Sequence, residues 1–316
     1  MSIQKKISVV GFGYWGKNHA RVLDELGVLS GVFDLDIKNS NEAKNLNYKI
    51  YDSLNEMAED SDACVIATPA ETHYSIAINL IDKLDLLVEK PLSLSVKECK
   101  ELVSKSKKNK KIVQVGHQLH FHEGVIKMKK LINEGFIGEI KWIYSNRLNM
   151  GKIRTEENVM WSFAPHDISL LISLVKSPIK NLSVQGTNLF NQNVEDATLS
   201  LFEFENGVKS HIFVSWFHPF KEQRFVVVGT KGTLVFSDTN IENKLVAYTT
   251  KIEQGETTIM EHKEEVITFQ EREPLMNQAK YFLECLSERT CEINNSNDAL
   301  KVVEILENSN KILTSI

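Results

Sequence analysis

The stretch Ile7-Ser8-Val9-Val10-Gly11-Phe12-Gly13-Tyr14-Trp15-Gly16-Lys17-Asn18-His19-Ala20 constrains the fold of this chain more than any other. A strand-like apolar run leads into three glycines spaced G-x-G-x-x-G, and a helical pattern follows at once. Such a strand–turn–helix unit seats a dinucleotide pyrophosphate. Gly11 permits the tight turn, Gly13 lets the backbone approach the phosphates, and Gly16 lets the helix pack closely on the strand. The helix N-terminus, with Phe12, Tyr14 and Trp15 in the same turn, offers N–H groups and a positive dipole end to the anion. Glycine-rich turns are common, so the motif counts only if the rest of the chain supports it.

The next residues do. Residues 15–26 have helical periodicity stopped by Gly27, and residues 29–33 read as a second strand ending at Asp34. Asp34 stands 18 residues beyond Gly16, about where a dinucleotide fold places the acid that bonds the adenine ribose hydroxyls. The alternative is a surface aspartate capping the next helix. No arginine follows directly to accept a 2′-phosphate, so NAD is expected rather than NADP. A polar helix (38–46), a short strand (48–51) and a helix opened by Asp52 or Ser53 come next. Residues 63–67 form a continuous apolar run, suited to a strand buried on both faces, ending at Thr68-Pro69. A helix over 71–83 carries His73. A buried strand over 85–88 ends at Glu89-Lys90-Pro91, Ser93 or Ser95 caps a lysine-rich helix to about residue 108, and a sixth strand (112–115) ends at Gly116-His117-Gln118. This alternation means a doubly wound parallel sheet. Ligands then bind outside the carboxyl ends of the strands, where the glycine turn, Asp34, Thr68, Pro69, His73, Glu89, Lys90 and Gln118 collect.

After a helix over 121–135 the pattern changes. Residues 139–150 begin a long strand, a polar loop (151–159) leads to a short helix over 165–175, and the runs 180–190, 197–205, 208–217 and 224–236 alternate like antiparallel strands with one solvated face. Gly207 and Gly232 are expected in hairpin turns. Strands over 244–250 and 266–269 and helices over 274–286 and 297–313 finish the chain. The expected architecture is α/β: a Rossmann domain over residues 1–120, then an α+β domain over 121–316 with a large, mostly antiparallel sheet, its last helices able to pack back on the first domain.

Composition narrows the function classes. A net charge of −5 gives no electrostatic reason to expect nucleic acid. Cys64, Cys99, Cys285 and Cys291 are scattered without C-x-x-C spacing, which fits a reducing compartment. With no apolar leader and no run of ~18 apolar residues, a soluble cytoplasmic protein without a membrane partner is expected.

Taken in order, Gly11-Phe12-Gly13-Tyr14-Trp15-Gly16, Thr68-Pro69 with His73, Glu89-Lys90-Pro91 and Pro165-His166-Asp167 resemble the glucose–fructose oxidoreductase / inositol dehydrogenase / MocA family over essentially the whole length. Within it, residues 13–19, 145–149, 151–154 and 161–167 look like the sugar-nucleotide 3-dehydrogenase branch, especially enzymes acting on UDP-N-acetylglucosamine. The resemblance implies an NAD-dependent oxidation of the C3 hydroxyl of a UDP-N-acetylhexosamine, ahead of a partner aminotransferase. It also implies a homodimer or homotetramer built on the open sheet, and a cis bond before Pro91. A related branch acts on UDP-N-acetylglucosaminuronic acid.

Oxidising a secondary alcohol needs a group to polarise the hydroxyl and a base for its proton. Lys90, at the carboxyl edge of the sheet, suits the first task, since an ammonium stabilises a developing alkoxide. His166, at the start of an apolar helix after Pro165, suits the second; the alternative is a structural histidine bonded to Asp167 or to backbone. Many family members carry an aspartate four residues before this histidine. Ser162 stands there instead, so a carboxylate base at that position is not available. Arg147 and Arg154 match phosphate oxygens, or are surface arginines. His117, His120 and His122 suggest pocket lining, His122 toward the substrate, rather than a metal site, and no metal is expected. The remaining alternatives are a free-sugar or inositol dehydrogenase and, from another class, a non-catalytic dinucleotide-binding regulator.

Overall fold

The computed structural model describes residues 5–151, 157–190, 194–251 and 261–314. The chain divides into two units. One runs to Gln118 and includes Glu273–Ile305; the other comprises Leu119–Arg272 and the C-terminal residues from Leu306.

The first unit alternates as the apolar runs demand: β1 (Ile7–Val10), α1 (Tyr14–Glu25), β2 (Leu29–Phe33), α2 (Ile37–Asn45), α3 (Leu54–Glu59), β3 (Ala63–Ile66), α4 (Ala70–Leu80), β4 (Asp85–Val88), α5 (Val96–Asn109) and β5 (Val113–Val115). The strands form one parallel sheet in the order β2-β1-β3-β4-β5. Every residue of β1, β3 and β4 is buried, as a parallel sheet covered on both faces requires. The sheet has five strands where six were expected. Residues 48–51 make only a single parallel bridge, Ile50 to Val32. Asn47 in the left-handed region (φ 63°) just before it and the α3 cap just after leave room for no more. Ser53 caps α3, its Oγ accepting from the Glu56 amide at 3.1 Å. At α5 the cap position is Ser95, but it is Ser93 whose hydroxyl engages the Ser95 backbone, accepting from its amide and donating to its carbonyl.

The second unit starts with a 3₁₀ turn and α6 (Glu123–Asn133), followed by β6 (Ile140–Met150), α7 (Val159–Phe163), α8 (Pro165–Val175), β7 (Ile179–Thr187), β8 (Ala197–Phe204), β9 (Lys209–Ser215), β10 (Phe217–Gly229), β11 (Gly232–Ser237), β12 (Leu245–Lys251) and β13 (Glu261–Val266). The sheet order is β13-β12-β11-β10-β6-β9-β8-β7. All pairs are antiparallel except β6 with β9. Gly207 turns the β8–β9 hairpin with φ 83°. The apolar run at 224–236 is cut into β10 and β11 at Thr230-Lys231, not at Gly232. Gly232 lies in the strand, where a Cβ would sit 2.6 Å from the Tyr248 carbonyl oxygen. The last strand falls at 261–266 rather than 266–269, and α7 occupies residues read as loop or left unread. Its start is fixed by Asn158, whose Oδ1 accepts from the Trp161 amide.

Two helices complete the described chain, α9 (Pro274–Glu288) and α10 (Ser296–Thr314). Leu275, Ala279, Phe282 and Leu286 of α9 join Ala20, Val22 and Leu23 of α1 and Val9 of β1 in one buried cluster. At ~0.8 kcal/mol per buried methylene this packing fixes α1, and with it the glycine turn.

Candidate active site

The carboxyl ends of the first sheet bring most of the sequence candidates together. Gly11 has φ 87°, and a Cβ there would meet Ala67 O at 2.9 Å and Thr68 Cγ2 at 2.8 Å, so the turns after β1 and β3 lie against one another. A Cβ on Gly16 would fall 1.8 Å from the Gly11 carbonyl oxygen, which is why α1 can close on the turn only with glycine there. A Cβ on Gly13 would meet nothing within 4 Å, and no side chain caps α1. The first turn of α1 therefore presents its amides to open space, with no acidic side chain in that turn to repel an anion. The residues fit a dinucleotide pyrophosphate. Tyr14 and Trp15 stand outward, 77% and 42% exposed, with their rings edge to face. Phe12 is buried against Tyr48, so its backbone alone belongs to the turn.

Asp34 is already engaged. Its Oδ2 accepts from the Phe12 amide at 2.5 Å and from Asn39 Nδ2 at 3.1 Å, and its Oδ1 from the Asp36 amide at 2.7 Å. Four lone-pair sites less three donors leave Oδ1 one acceptance for a ribose hydroxyl. The capping role that stood as the alternative belongs to Asp36, whose side chain accepts from the Lys38 amide.

Glu89, Lys90 and Pro91 follow β4, with a cis Lys90–Pro91 peptide. Glu89 is buried, and its Oε1 accepts from His19 Nε2 at 2.8 Å while its Oε2 accepts from the Lys90 amide at 3.2 Å. Burial pushes this carboxyl's pKa up, but the His19 bond, the charges of His19 and Lys90 and the Lys90 amide overcome it, leaving the pKa below the ordinary glutamate value. The carboxylate rests on Gly116, where a Cβ would lie 2.8 Å from Oε2. Beside it, burial and then the Lys90 charge push His117 down to about 3, against the opposing pull of Glu89. His117 is therefore neutral near pH 7. His73 is buried between two turns, with Nδ1 2.7 Å from the Pro91 carbonyl oxygen and Nε2 2.9 Å from that of Thr68. Gln118 begins the 3₁₀ turn, its amide bonded to the Gly116 carbonyl. His19 was not singled out from the sequence. A buried acid at a strand end demands a partner, and His19, three residues beyond Gly16 on the buried face of α1, was the one within the motif.

In the second unit, His166 opens α8 and Asp167 is buried beside it. Asp167 Oδ1 accepts from Ser145 Oγ at 2.6 Å, and Oδ2 from Arg147 Nε at 2.5 Å, with Arg147 Nη2 reaching Oδ1 at 3.3 Å. Arg147 thus reaches any ligand with its charge already paired. Arg154 lies outside the described residues. His122 caps α6: its Nδ1 accepts from the Gly124 amide at 3.0 Å and its Nε2 faces Asp238 at 3.3 Å, between the rings of Phe236 and Phe269. Both nitrogens serve the fold. His120 accepts a hydrogen bond from Lys129 on Nδ1 and donates from Nε2 to Ser169 of α8. Ser162 is buried in α7. Among the described residues no group of three or more histidines, cysteines or acids is placed to hold a metal, and no helix is long and apolar enough to cross a membrane.

The chain is similar to several characterised proteins. It is 26% identical over 247 residues to the 2,7-anhydro-N-acetylneuraminate hydratase of Mediterraneibacter gnavus, covering 72% of this chain and 66% of the relative. It is 23% identical to the UDP-N-acetylglucosamine 3-dehydrogenase of Acidithiobacillus ferrooxidans, covering 67% of each. It is 24% identical to the inositol 2-dehydrogenase/D-chiro-inositol 3-dehydrogenase of Lactiplantibacillus plantarum, covering 72% and 70%. The matched stretch is thus about two thirds of these relatives' length. A solved structure of the Acidithiobacillus enzyme superposes with a TM-score of 0.90 at 20% identity, covering 99% of this chain and 98% of that one. Residues 5–117 match the model of the oxidoreductase family with an NAD-binding Rossmann fold, and residues 125–235 match the C-terminal domain of the same family. With both of its domain types present in order, the chain belongs to the Gfo/Idh/MocA oxidoreductase family.

Proposed function

We propose that this protein is a dehydrogenase that oxidises the C3 hydroxyl of a UDP-N-acetylhexosamine, UDP-N-acetylglucosamine first, to the 3-keto sugar. The observation that carries the reading is the Lys90 turn. A lysine stands at the carboxyl edge of the NAD-binding sheet on a buried carboxylate, Glu89, that is itself held by His19. A regulator that only binds a dinucleotide has no use for that arrangement. NAD, when bound, supplies the hydride acceptor. Lys90 donates a hydrogen bond to the reacting hydroxyl and stabilises the negative charge that develops on its oxygen. His166 takes the hydroxyl proton; the N-terminal position on α8 disfavours imidazolium and keeps the ring able to accept it. Asp34 holds the adenine ribose, which favours NAD over NADP.

The substrate class rests on the motif resemblance and on the curated relative of that name. Arg154 carries most of the recognition of the diphosphate in this reading, because Arg147 is neutralised by Asp167. That same pairing favours a second reading, an unphosphorylated polyol or sugar, as in the inositol dehydrogenase relative. A partner aminotransferase would consume the ketone. Self-association into a dimer or tetramer through the open sheet face is part of the proposal, as is a cytoplasmic location. Ser145 points to α8, so Tyr144 points the other way; there it stacks on His211, whose ladder neighbour Leu201 is 46% exposed.

The test is NADH formation over a panel of UDP-sugars, free hexoses and inositols, with an aminotransferase present to pull the equilibrium. Turnover of UDP-N-acetylglucosamine well above the free sugars is expected. Turnover of inositols or free sugars alone would replace this reading with the second.

A further inference from the structure

We propose that His73 is a two-proton clamp: it holds the turn that carries Lys90 to the turn after β3 as a doubly protonated imidazolium. The inference takes the site described above as its frame and adds a positioning residue to it. His73 is buried, and each ring nitrogen faces a backbone carbonyl oxygen, Nδ1 that of Pro91 at 2.7 Å and Nε2 that of Thr68 at 2.9 Å. A carbonyl oxygen only accepts. A neutral imidazole has one N–H and one lone pair, so in that state one of the two contacts would set a nitrogen lone pair against an oxygen lone pair. Both contacts are hydrogen bonds only when both nitrogens carry protons, and such charge-assisted bonds are the stronger kind.

The partners give the clamp its meaning. Pro91 directly follows Lys90. Thr68 lies against Gly11 of the phosphate turn and accepts at Oγ1 from Thr72 at 2.7 Å. One side chain on α4 therefore ties the lysine turn to the dinucleotide turn. The titratable groups on the elements packed around it are Glu71 and Tyr74 on α4, Glu101 on α5, and Glu89 and Lys90 ahead of Pro91. Tyr74 donates to Glu101, and Glu89 is taken up by His19 and the Lys90 amide. No carboxylate among the described residues bonds the His73 ring; the two carbonyl dipoles do that work. With one ring nitrogen bare, one of the two turns would be released.

The charge is read directly by ¹⁵N NMR of the full-length protein with labelled histidine and bound NADH at neutral pH. The expected result is a buried imidazole with both nitrogens protonated whose signals are missing from His73→Gln and His73→Asn, which tells it apart from any imidazolium at His19 on Glu89. His120 and His122 cannot give that signature, because each accepts a hydrogen bond on one ring nitrogen, which therefore carries no proton. A His73 ring with one bare nitrogen would overturn the proposal. Either variant suffices for the assignment. In a variant that folds, kcat should fall about tenfold or more while the Kd for NADH changes less, because the lysine turn is released but the glycine turn is not. An unchanged kcat would also overturn the clamp. The NMR result stands or falls independently of which sugar is turned over, so failure of the substrate assay and failure of this proposal are distinguishable.

Discussion

Asp34 illustrates how a single side chain serves both fold and ligand. Three donors hold it, from the glycine turn, from the start of α2 and from Asn39. Asp34→Ala should therefore lose discrimination between NAD and NADP by roughly tenfold or more, and also lose about 1–3 kcal/mol of stability as the Phe12 and Asp36 amides lose their acceptor. Steady-state kinetics with each cofactor and a denaturant titration read both effects. Unchanged selectivity would remove Asp34 from the ribose site. Its position was legible because the spacing of a βαβ unit is set by helix and strand lengths. The donors around it were not, because two of them are backbone amides whose direction depends on the turn. Arg147 shows the opposite case. Its residue type suits phosphate, but Asp167, 20 positions away in sequence, already occupies it, and pairing across a helix and a strand leaves no local signature. His122 was legible as a histidine near a strand end, but not as the cap of α6.

Among the elements, the turn from β1 to α1 makes the sharpest demand. Gly16→Ala puts a methyl carbon 1.8 Å from the Gly11 oxygen, so α1 must move off the turn. A loss of about 2–4 kcal/mol is expected, with dinucleotide binding impaired. Gly13→Ala meets nothing within 4 Å and should leave stability within about 1 kcal/mol while weakening binding, since its methyl stands where phosphate approaches. Thermal melts and NADH titrations separate the two. Equal affinity for NADH in Gly13→Ala and wild type would contradict the phosphate assignment. Apolar runs of four to five residues marked β1, β3 and β4 because strands buried on both faces need continuous apolar sequence. The run at 48–51 forms only a single bridge because so short a run carries too little periodicity to define a strand, whereas the hairpin at Thr230-Lys231 was drawn to Gly232 by the adjacent glycine.

For the whole molecule, strand–helix alternation was enough to predict a parallel sheet followed by a largely antiparallel one, since each connection length permits few topologies. The parallel pairing of β6 with β9 inside the second sheet is a long-range choice that no local pattern encodes. The chemistry converges on one side chain. Glu89, His19 and His73 all support the turn that bears Lys90, and the glycine turn beside it fits the dinucleotide. The decisive measurement is Lys90→Ala, assayed for turnover and for NADH binding in the same preparation. Turnover should fall by about 10²–10³-fold or more while NADH affinity stays within about threefold of wild type. Turnover at the wild-type rate would contradict the assignment of Lys90 to the reaction.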